Sequence, residues 1–550
     1  MVYPTIPLAQ SIIELCKAKN LTNVVISPGS RNAPLTIGFT NDPFFTCYSI
    51  ADERCAAFFG MGLAQQTHIP TLLVCTSGSA LLNYYPAVAE AFYSQIPLIV
   101  LSADRPLNKI DIGDGQTIRQ QNVYHNHIVY SANLTEEANS TNDHLINEAI
   151  HTAITQQGPV HINAPFEEPL YQTTEQLSVN PIIEALVLPQ FPVVDYNYYS
   201  QQWNTATKKL IVVGSLPPHT LTQEIIQKLT ADGSTLFLAE TISNIQGPGV
   251  INAIDRLVIP MKEEDLQYFQ PDILLTFGGM VVSKKIKQIL RQYSPKQHWH
   301  VDTLRHYDTY DCLTDRIYSD ALSFLTQLTT NTTPIVSNYS AWANDIMITR
   351  NIKHSQLLKD AIFSDFTVLD YLVAQLPKNS LLQVSNSAVI RYVQLLDVDP
   401  SIDVCCNRGT SGIDGCTSTA LGASIGSGKP TVLLTGDISF FYDSNALWNA
   451  YVPHDFKIIL INNGGGGIFR TLPGHQENEV FNTYFETTHQ LRAQHLAAMY
   501  DWAYFQADTA ETLSAQAQDF FSQSHKPAIL EVNTPTFLND EVFKKYYRNL

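Results

Sequence analysis

The amino-acid sequence predicts an α/β protein built from three parallel-sheet domains in series. Short apolar, β-branched runs recur along the chain, each ending in Gly, Ser, Asn or Asp and each followed by a helical pattern. Buried parallel strands joined by crossover helices have this pattern. The runs form three groups, and 550 residues with 45% hydrophobic content are enough for about three packed cores.

The order of the runs along the chain divides it into domains. The predicted strands are residues 24–26, 71–74 and 98–101 in the first group, 210–213, 236–238 and 273–275 in the second, and 404–405, 431–434, 458–461 and 528–530 in the third. Residues 166–208 contain four prolines and little periodicity, which is typical of a surface linker. The polar stretch 329–334 precedes the third group. We therefore predict domains at 1–185, 186–345 and 346–550.

Charge and hydropathy exclude several classes of partner. The formal net charge of −18 argues against nucleic acids and anionic membranes, because binding to phosphates needs a cationic surface. No apolar run reaches the roughly 18 residues of a membrane span. Residues 1–20 lack the basic segment and apolar core of a secretion signal. We expect a cytoplasmic protein with neither nucleic acid nor membrane as its partner.

The eight cysteines form no C-x-x-C pair, and no histidines lie at the spacing typical of a zinc site. We expect reduced thiols that mostly pack as small apolar groups. A catalytic cysteine is the alternative.

Two polar turns follow successive predicted strands of the third group. Gly436-Asp437-Ile438-Ser439 ends one strand, and Asn462-Asn463-Gly464-Gly465 ends the next. The carboxyl ends of neighbouring parallel strands lie at one edge of a sheet, where open α/β folds bind ligands. The carboxylate of Asp437, the side chain of Asn463 and the carbonyl of Gly465 suit a hard cation such as Mg²⁺ (or Mn²⁺) that also binds a diphosphate. The alternative is a pair of ordinary strand-to-helix turns.

This pair resembles the motif of thiamine-diphosphate enzymes, in which Gly-Asp-Gly is followed by a double Asn. Ile438 replaces the third residue of the usual Gly-Asp-Gly. Such an enzyme also needs a carboxyl group against the aminopyrimidine of the cofactor, and Glu53 is placed to supply it. A hydrogen bond from this residue shifts the ring tautomer and creates a base beside the reactive carbon. The alternative for Glu53 is an acidic residue that stabilises a helix N-terminus.

Four further segments resemble one family within these enzymes, the 2-succinyl-5-enolpyruvyl-6-hydroxy-3-cyclohexene-1-carboxylate synthases, or MenD family. They are residues 27–35, 102–106, 386–391 and 407–415. The resemblance implies an α/β fold of the thiamine-diphosphate enzyme type, with a pyrimidine-binding, a central and a diphosphate-binding domain. It also implies a homodimer or homotetramer whose active site lies between the first domain of one subunit and the third of another.

The same resemblance implies decarboxylation of 2-oxoglutarate on thiamine diphosphate and 1,4-addition of the succinyl unit to isochorismate, in menaquinone biosynthesis. Both substrates carry two carboxylates, which arginine binds through paired hydrogen bonds. The residues that match substrate-binding positions are Ser30, Arg31, Arg105, Gln116, Lys284, Ser387, Arg391 and Arg408. Arg391 and Arg408 are expected to serve the donor and to take part in catalysis, and Arg31 and Arg105 to serve the acceptor. Lys285 and Lys287 are near alternatives to Lys284.

The remaining expectations concern the cofactor. Ile413 matches the apolar wedge that bends it, although an ordinary core isoleucine is the alternative. Gly409 matches a cofactor-binding position. The run Gly464–Gly467 allows the backbone to approach the diphosphate closely. Gly115 stands where relatives are expected to carry Asn, which puts one substrate hydrogen bond in doubt.

Two rival functions remain at the level of sequence. One is a different thiamine enzyme, such as a 2-oxoacid decarboxylase or an acetolactate-synthase-like carboligase, although a monocarboxylate substrate needs fewer cations than this chain offers. The other is a nucleotide-binding or non-catalytic scaffold protein with the same sheets. The joint presence of Glu53, Asp437 and Asn463 argues against the second.

Overall fold

Three six-stranded sheets, with all neighbouring strands parallel, form the core of the protein, as the sequence predicts. The structure is a computed structural model that describes residues 2–472 and 474–550. The three sheets follow one another along the chain and are covered by helices. None of the helices in these ranges combines the length and the apolar character that a membrane span requires.

The first sheet has the strand order β3-β2-β4-β5-β7-β6, and a short antiparallel pair, β1 and β8, lies beside it. The strands are β1 (Tyr3–Pro4), β2 (Asn23–Ile26), β3 (Thr46–Ser49), β4 (Thr71–Cys75), β5 (Leu98–Asp104), β6 (Tyr130–Asn133), β7 (Val160–Pro165) and β8 (Thr173–Thr174). The helices are α1 (Pro7–Ala18), α2 (Ala33–Asn41), α3 (Glu53–Thr67), α4 (Ser79–Asn83), α5 (Tyr85–Ser94) and α6 (Ser140–Gln156). The strands β4, β5 and β7 are buried along their whole length, because helices cover both faces of the sheet.

The second sheet has the order β11-β10-β9-β12-β13-β14. Its strands are β9 (Lys209–Val213), β10 (Thr235–Ala239), β11 (Val250–Ile251), β12 (Ile273–Phe277), β13 (Gln297–Val301) and β14 (Asp315–Ile317). Its helices are α7 (Tyr196–Thr205), α8 (Gln223–Thr230), α9 (Ile254–Val258), α10 (Glu263–Phe269), α11 (Lys284–Gln292), α12 (Ala321–Thr330) and α13 (Tyr339–Lys359).

The third sheet has the order β16-β15-β17-β18-β20-β19. Its strands are β15 (Leu381–Val384), β16 (Asp403–Cys406), β17 (Thr431–Gly436), β18 (Lys457–Asn462), β19 (Ala503–Ala507) and β20 (Ala528–Asn533). Its helices are α14 (Asp365–Val373), α15 (Ala388–Val393), α16 (Cys416–Ser427), α17 (Asp437–Tyr442), α18 (Glu479–Tyr484), α19 (Gln494–Met499), α20 (Ala510–Ser522) and α21 (Asn539–Asn549). When the strands are counted from the N-terminal one, the first and third sheets both have the order 2-1-3-4-6-5.

The first and third sheets meet through helices α3 and α16, which cross with their backbones in contact. A Cβ atom at Gly62 would lie 2.1 Å from the carbonyl oxygen of Thr419, and one at Gly422 would lie 1.9 Å from that of Phe59. Only glycine fits at such distances. This crossing brings the loops that precede both helices to one region of the molecule.

The predicted domain boundaries lie in different kinds of structure. The stretch between β8 and α7, residues 175–195, has no helix or strand and is largely exposed, whereas position 345 lies inside the continuous helix α13. The boundaries at 185/186 and 345/346 stay predictions.

Candidate active site

The turns after β17 and β18 are joined through the carboxylate of Asp437. One of its oxygens accepts hydrogen bonds from the backbone N–H groups of Gly464 (2.8 Å) and Gly465 (3.0 Å), and the other accepts one from Ile438 (2.7 Å). The side chain is buried. Parallel pairing of the two strands aligns their carboxyl ends, which explains why residues far apart in sequence meet here.

The side chain of Asn463 is held in one orientation by Asp365. The amide of Asn463 donates a hydrogen bond of 2.8 Å to a carboxylate oxygen of Asp365, whose other oxygen accepts one from Thr534. Burial raises the pKa of Asp365 to about 6, and the bonds from Thr534 and Asn463 oppose this effect. Because the amide nitrogen is engaged, Oδ1 of Asn463 is left buried without a hydrogen-bond partner among the described residues. A buried acceptor without a partner is costly, and a cation would satisfy it.

The glycine run after Asn463 packs against the backbone of Glu486. A Cβ atom at Gly465 would lie 2.8 Å from the carbonyl oxygen of Glu486, and the same oxygen accepts a hydrogen bond of 2.6 Å from the N–H of Gly466. Glu486 is fully buried and paired with Arg470, whose Nη2 lies 2.6 Å from its carboxylate. The loop that carries Gly465 is therefore anchored from both sides.

Glu53 begins α3 directly after the N-cap residue Asp52, whose side chain accepts a hydrogen bond of 3.2 Å from the N–H of Cys55. The carboxyl group of Glu53 is half-buried, and burial raises its pKa, with a smaller contribution from the charge of Asp52. Within residues 2–472 and 474–550, no other residue donates a hydrogen bond to this carboxyl group. Glu53 therefore lies at the N-terminus of a helix, as the alternative interpretation requires. Its carboxyl group also accepts no hydrogen bond from another described residue, as the catalytic interpretation requires.

The surroundings of Glu53 reach the third sheet within the same chain. Asp52 accepts a hydrogen bond of 2.8 Å from Asn445, and α3 packs on α16. Ile413 precedes α16, and its carbonyl oxygen accepts a hydrogen bond of 2.6 Å from Ser439, two residues after Asp437. These contacts connect the predicted wedge residue to both the glutamate helix and the turn of Asp437.

Arg408 is fixed by Asn386, which lies at the end of the neighbouring strand β15. Nη1 of Arg408 donates a hydrogen bond of 2.7 Å to Oδ1 of Asn386. The amide nitrogen of Asn386 donates to the carbonyl oxygens of Asn407 (2.6 Å) and Gly412 (2.7 Å). A single buried amide therefore holds both ends of the loop that carries Arg408, Gly409 and Ile413.

The same loop is held from the first sheet by Glu90 of helix α5. Its buried carboxylate accepts hydrogen bonds from the N–H groups of Gly409 (2.6 Å) and Thr410 (2.7 Å) and from the hydroxyl of Thr410 (2.8 Å). Hydrogen bonds to a charged group are shorter and stronger than neutral ones. A Cβ atom at Gly409 would lie 2.5 Å from the carbonyl oxygen of Glu90, so the close approach requires glycine.

Arg391 lies near Arg408. It follows Ser387, whose positive φ of 71° turns the chain into α15. Burial and the charge of Arg408 lower the pKa of Arg391, and the carboxylate of Asp255 from the central domain opposes them. The Nε atoms of Arg391 and Arg408 are buried and have no hydrogen-bond partner among the described residues.

The lysines at the start of α11 differ in their burial. Lys284 is exposed, whereas Lys287 is half-buried. Burial lowers the pKa of Lys287, the carboxylate of Glu240 raises it, and the charge of Arg408 lowers it. The alternative to Lys284 that the sequence leaves open is therefore the one with an electrostatic link to Arg408.

The first-domain arginines lie at the carboxyl ends of β2 and β5. Arg31 is buried and donates hydrogen bonds to the carbonyl oxygen of Phe166 (3.0 Å) and the carboxylate of Glu168 (3.2 Å). Arg105 is half-buried, and its Nε is buried without a partner among the described residues. Arg31 is thus partly neutralised, whereas the guanidinium of Arg105 retains a free donor.

Ser30 and Gln116 are both exposed. The carbonyl oxygen of Gln116 accepts a hydrogen bond of 2.9 Å from Ser77, and its φ is +56°. In the described part of the chain, no hydrogen bond or ion pair joins Ser30, Arg31, Arg105 or Gln116 to Arg391 or Arg408. The predicted donor group and the predicted acceptor group are therefore not linked directly by hydrogen bonds or ion pairs.

Comparisons with known proteins agree with this geometry. The chain matches family models described as "Thiamine pyrophosphate enzyme, N-terminal TPP binding domain" at residues 6–129, "Middle domain of thiamine pyrophosphate" at 193–384 and "Thiamine pyrophosphate enzyme, C-terminal TPP binding domain" at 398–532. Three curated relatives are named 2-succinyl-5-enolpyruvyl-6-hydroxy-3-cyclohexene-1-carboxylate synthase. They come from Flavobacterium johnsoniae (57% identity, 100% of both chains), Flavobacterium psychrophilum (56%, 100% of both) and Bacteroides thetaiotaomicron (38%, 98% of both). The chain belongs to the 2-succinyl-5-enolpyruvyl-6-hydroxy-3-cyclohexene-1-carboxylate synthase family. Thiamine pyrophosphate is the thiamine diphosphate of the motif described above, so the predicted resemblance is confirmed.

Sequence reasoning missed three residues that shape the site of this synthase family member. Glu90, Asp365 and Asn386 are buried and each holds a predicted site residue or its loop. A lone glutamate within the apolar run of α5 was the one signal that could have singled out Glu90, because a buried carboxylate needs partners. Asn386 lies inside segment 386–391, which resembles the family, but nothing in the neighbouring sequence indicates that its amide holds the loop of Arg408. Asp365 begins a helix, where an acidic residue is ordinary.

Proposed function

We propose that this chain is a thiamine-diphosphate-dependent 2-succinyl-5-enolpyruvyl-6-hydroxy-3-cyclohexene-1-carboxylate synthase. It decarboxylates 2-oxoglutarate and adds the succinyl unit to isochorismate by 1,4-addition, in menaquinone biosynthesis. The full-length identity to relatives of that name supports the proposal. The observation that carries it is that Arg391 and Arg408 follow the paired strands β15 and β16 and that each has a buried Nε without a partner among the described residues, because a substrate with two carboxylates can accept hydrogen bonds from two such cations.

The residues at the carboxyl ends of β17 and β18 fit a divalent cation with a diphosphate. Asp437 would supply a carboxylate oxygen, Asn463 its unpartnered Oδ1, and Gly465 its carbonyl oxygen to Mg²⁺ (or Mn²⁺). Asp365 keeps the amide of Asn463 turned so that the oxygen remains available. Gly409 would lie beside the cofactor on the loop that Glu90 holds.

Thiamine diphosphate, when bound, supplies a carbon nucleophile and stabilises the negative charge left when carbon dioxide departs. The proposed role of Glu53 is to hold a proton on its carboxyl group, which would face the aminopyrimidine. Its raised pKa favours the protonated form more than in water, which suits a group that gives up and regains a proton. Ile413 contributes bulk that fixes the geometry of the bound cofactor.

The arginines and the polar residues near them would bind two different substrates. Arg391 and Arg408 would bind the two carboxylates of 2-oxoglutarate, with Ser387 as a hydrogen-bonding group beside them. Arg31, Arg105, Ser30 and Gln116 would bind isochorismate from the first domain, and Arg105 has the free donor that such a role needs. Lys284 remains the proposed substrate-binding residue of the central domain. Lys287 is the alternative, and the effect of the Arg408 charge on its pKa supports it.

We further propose a homodimer or homotetramer in the cytoplasm. The family resemblance implies a site shared between two subunits, whereas the described chain packs α3 against α16 by itself. Sedimentation of the active protein distinguishes a monomer from these assemblies. The eight cysteines are free, which suits a reducing compartment.

The decisive experiment supplies the purified chain with thiamine diphosphate, Mg²⁺, 2-oxoglutarate and isochorismate and identifies the product by mass. The expected product retains every atom of isochorismate and gains the succinyl unit. A parallel reaction with pyruvate as the donor is the control. Efficient carboligation of pyruvate without a reaction of 2-oxoglutarate would replace the proposal by an acetolactate-synthase-like function.

A further inference from the structure

Three groups that can bind a metal converge in the central domain, away from the turns of Asp437 and Asn463. His298 lies on β13, and Asp308 and Cys312 lie in the loop of residues 302–314 that connects β13 to β14. One donor atom from each of the three side chains lies within 4.8 Å of the other two. The set combines an imidazole, a carboxylate and a thiol, in contrast to the oxygen ligands proposed for Mg²⁺.

His298 is oriented with one ring nitrogen towards Cys312. Its Nδ1 lies 3.8 Å from Sγ of Cys312, and its Nε2 lies 2.8 Å from the hydroxyl oxygen of Thr276. The same hydroxyl lies 2.8 Å from Nδ1 of His300. A hydroxyl has a single proton, so when Thr276 donates it to His300 it accepts one from Nε2 of His298. The lone pair of Nδ1 in His298 then faces Cys312.

Cys312 is a free and half-buried cysteine. A metal ion that binds such a thiol displaces the thiol proton itself.

Asp308 organises the loop and retains a free oxygen. Its Oδ1 accepts hydrogen bonds from the N–H groups of Cys312 (2.8 Å) and Leu313 (3.0 Å). In the described ranges, its Oδ2 accepts no hydrogen bond. The turn therefore presents the thiol and a carboxylate oxygen on the same side as the imidazole.

We propose that His298, Asp308 and Cys312 bind a thiophilic divalent cation of the zinc class, with a fourth position left for water. Zinc bonds of about 2.3 Å to sulfur and about 2.0 Å to nitrogen in a tetrahedron separate the two ligand atoms by about 3.5 Å. The distance of 3.8 Å between Nδ1 of His298 and Sγ of Cys312 therefore needs little change. Thr276 fixes the imidazole in the way that second-sphere partners of metal-bound histidines do.

The ion would fix the loop that it closes. Thr303, Leu304 and Arg305 of this loop line a cavity that Arg408 and Gly409 also line. A metal ion that binds β13 and the loop together would hold these loop residues in place. The site is separate from the proposed cofactor site and does not depend on the proposed function.

The test uses the full-length, tag-free chain after removal of metals by a chelator and without thiamine diphosphate. Titration with Co²⁺ should produce a thiolate-to-cobalt charge-transfer band in the near ultraviolet, and calorimetry with Zn²⁺ should find a thiolate-dependent site of one ion per chain. Cys312→Ser should abolish the band and that site. Cys47→Ser is the matched control, because Cys47 is also a free and half-buried cysteine, and it should change neither.

A second variant keeps all three ligands and tests their orientation. Thr276→Val should weaken Zn²⁺ binding about 10- to 100-fold, as the loss of a second-sphere partner does. Absence of the charge-transfer band in the unmodified chain overturns the proposal even if a variant fails to fold. Equal stoichiometry and affinity for Zn²⁺ in the unmodified chain and Cys312→Ser overturn it as well.

Discussion

The first and third sheets have the same strand order, but residues of different types follow their strands. In the third sheet, the strands β17 and β18 are followed by Asp437 and Asn463, and the carboxylate of Asp437 joins the two turns by accepting hydrogen bonds from the N–H groups of Gly464 and Gly465. In the first sheet, the corresponding strands β4 and β5 are followed by Thr76 and Arg105. A common topology therefore provides two similar edges, and the residues after the strands decide which one suits a cation and which one suits an anion.

The largest expected effect is a loss of turnover, and it concerns Glu53, which follows β3 of the first sheet. Glu53→Gln keeps the shape of the side chain but removes the exchangeable acid proton. Turnover should fall about 10²- to 10⁴-fold, the range that general acid–base catalysis contributes. Steady-state assays measure this loss, and calorimetry should find binding of thiamine diphosphate largely unchanged. A variant with nearly full turnover would remove Glu53 from the mechanism.

A matched pair of substitutions compares the two edges directly. Asp437→Asn removes a charged oxygen from the third sheet and should weaken Mg²⁺-dependent binding of thiamine diphosphate about 10- to 100-fold, because a contact to a charged group contributes roughly 1.5–3 kcal/mol. Asp104→Asn removes the last carboxylate of β5 in the first sheet and should leave that affinity nearly unchanged. Calorimetry with the cofactor and Mg²⁺ checks both. Equal losses would contradict the division between the edges.

The donor and acceptor groups should separate in the same way. Arg391→Ala should slow the release of carbon dioxide from 2-oxoglutarate by about 10- to 100-fold. Arg105→Ala should spare this release in a single turnover and slow the formation of the adduct with isochorismate. Rapid-quench measurements follow both steps. If both variants lose both steps equally, Arg391 and Arg105 act on the same intermediate, and the division into donor and acceptor groups is wrong.

The smallest expected effect tests the contact that joins the two halves. Glu90→Gln keeps the size of the side chain but replaces charged hydrogen bonds to Gly409 and Thr410 by weaker neutral ones. We expect a decrease of about 1–2 kcal/mol in the binding of the cofactor or donor. The Michaelis constant for 2-oxoglutarate should rise more than turnover falls, because the carboxylate of Glu90 is occupied by hydrogen bonds from Ser94, Gly409 and Thr410 and acts through the loop. Glu90→Asp should recover part of the loss, whereas a decrease in thermal stability without any change in this constant would assign Glu90 to the fold alone.

The central domain shows what local spacing does not record. The sequence has no C-x-x-C pair and no matching histidine spacing, and the loop after β13 brings Cys312 and Asp308 close to His298. Local spacing identifies ligands that share one short motif. It does not identify ligands that a long loop returns to a strand.

The sequence by itself determined the elements whose signal is local. The four apolar runs of the third group became parts of β16, β17, β18 and β20, whereas β15 and β19 were not predicted. The polar turns after β17 and β18 met at one edge because parallel pairing requires it. The tertiary structure alone decided the partners that hold these turns. Glu90 reaches Gly409 from the first domain, and Asp365 orients Asn463 from a separate helix. The packing of α11 half-buries Lys287, whose pKa the charge of Arg408 lowers, and leaves Lys284 exposed. The physical reason is that such contacts depend on how whole helices pack, and no repeat or spacing within a short segment records it.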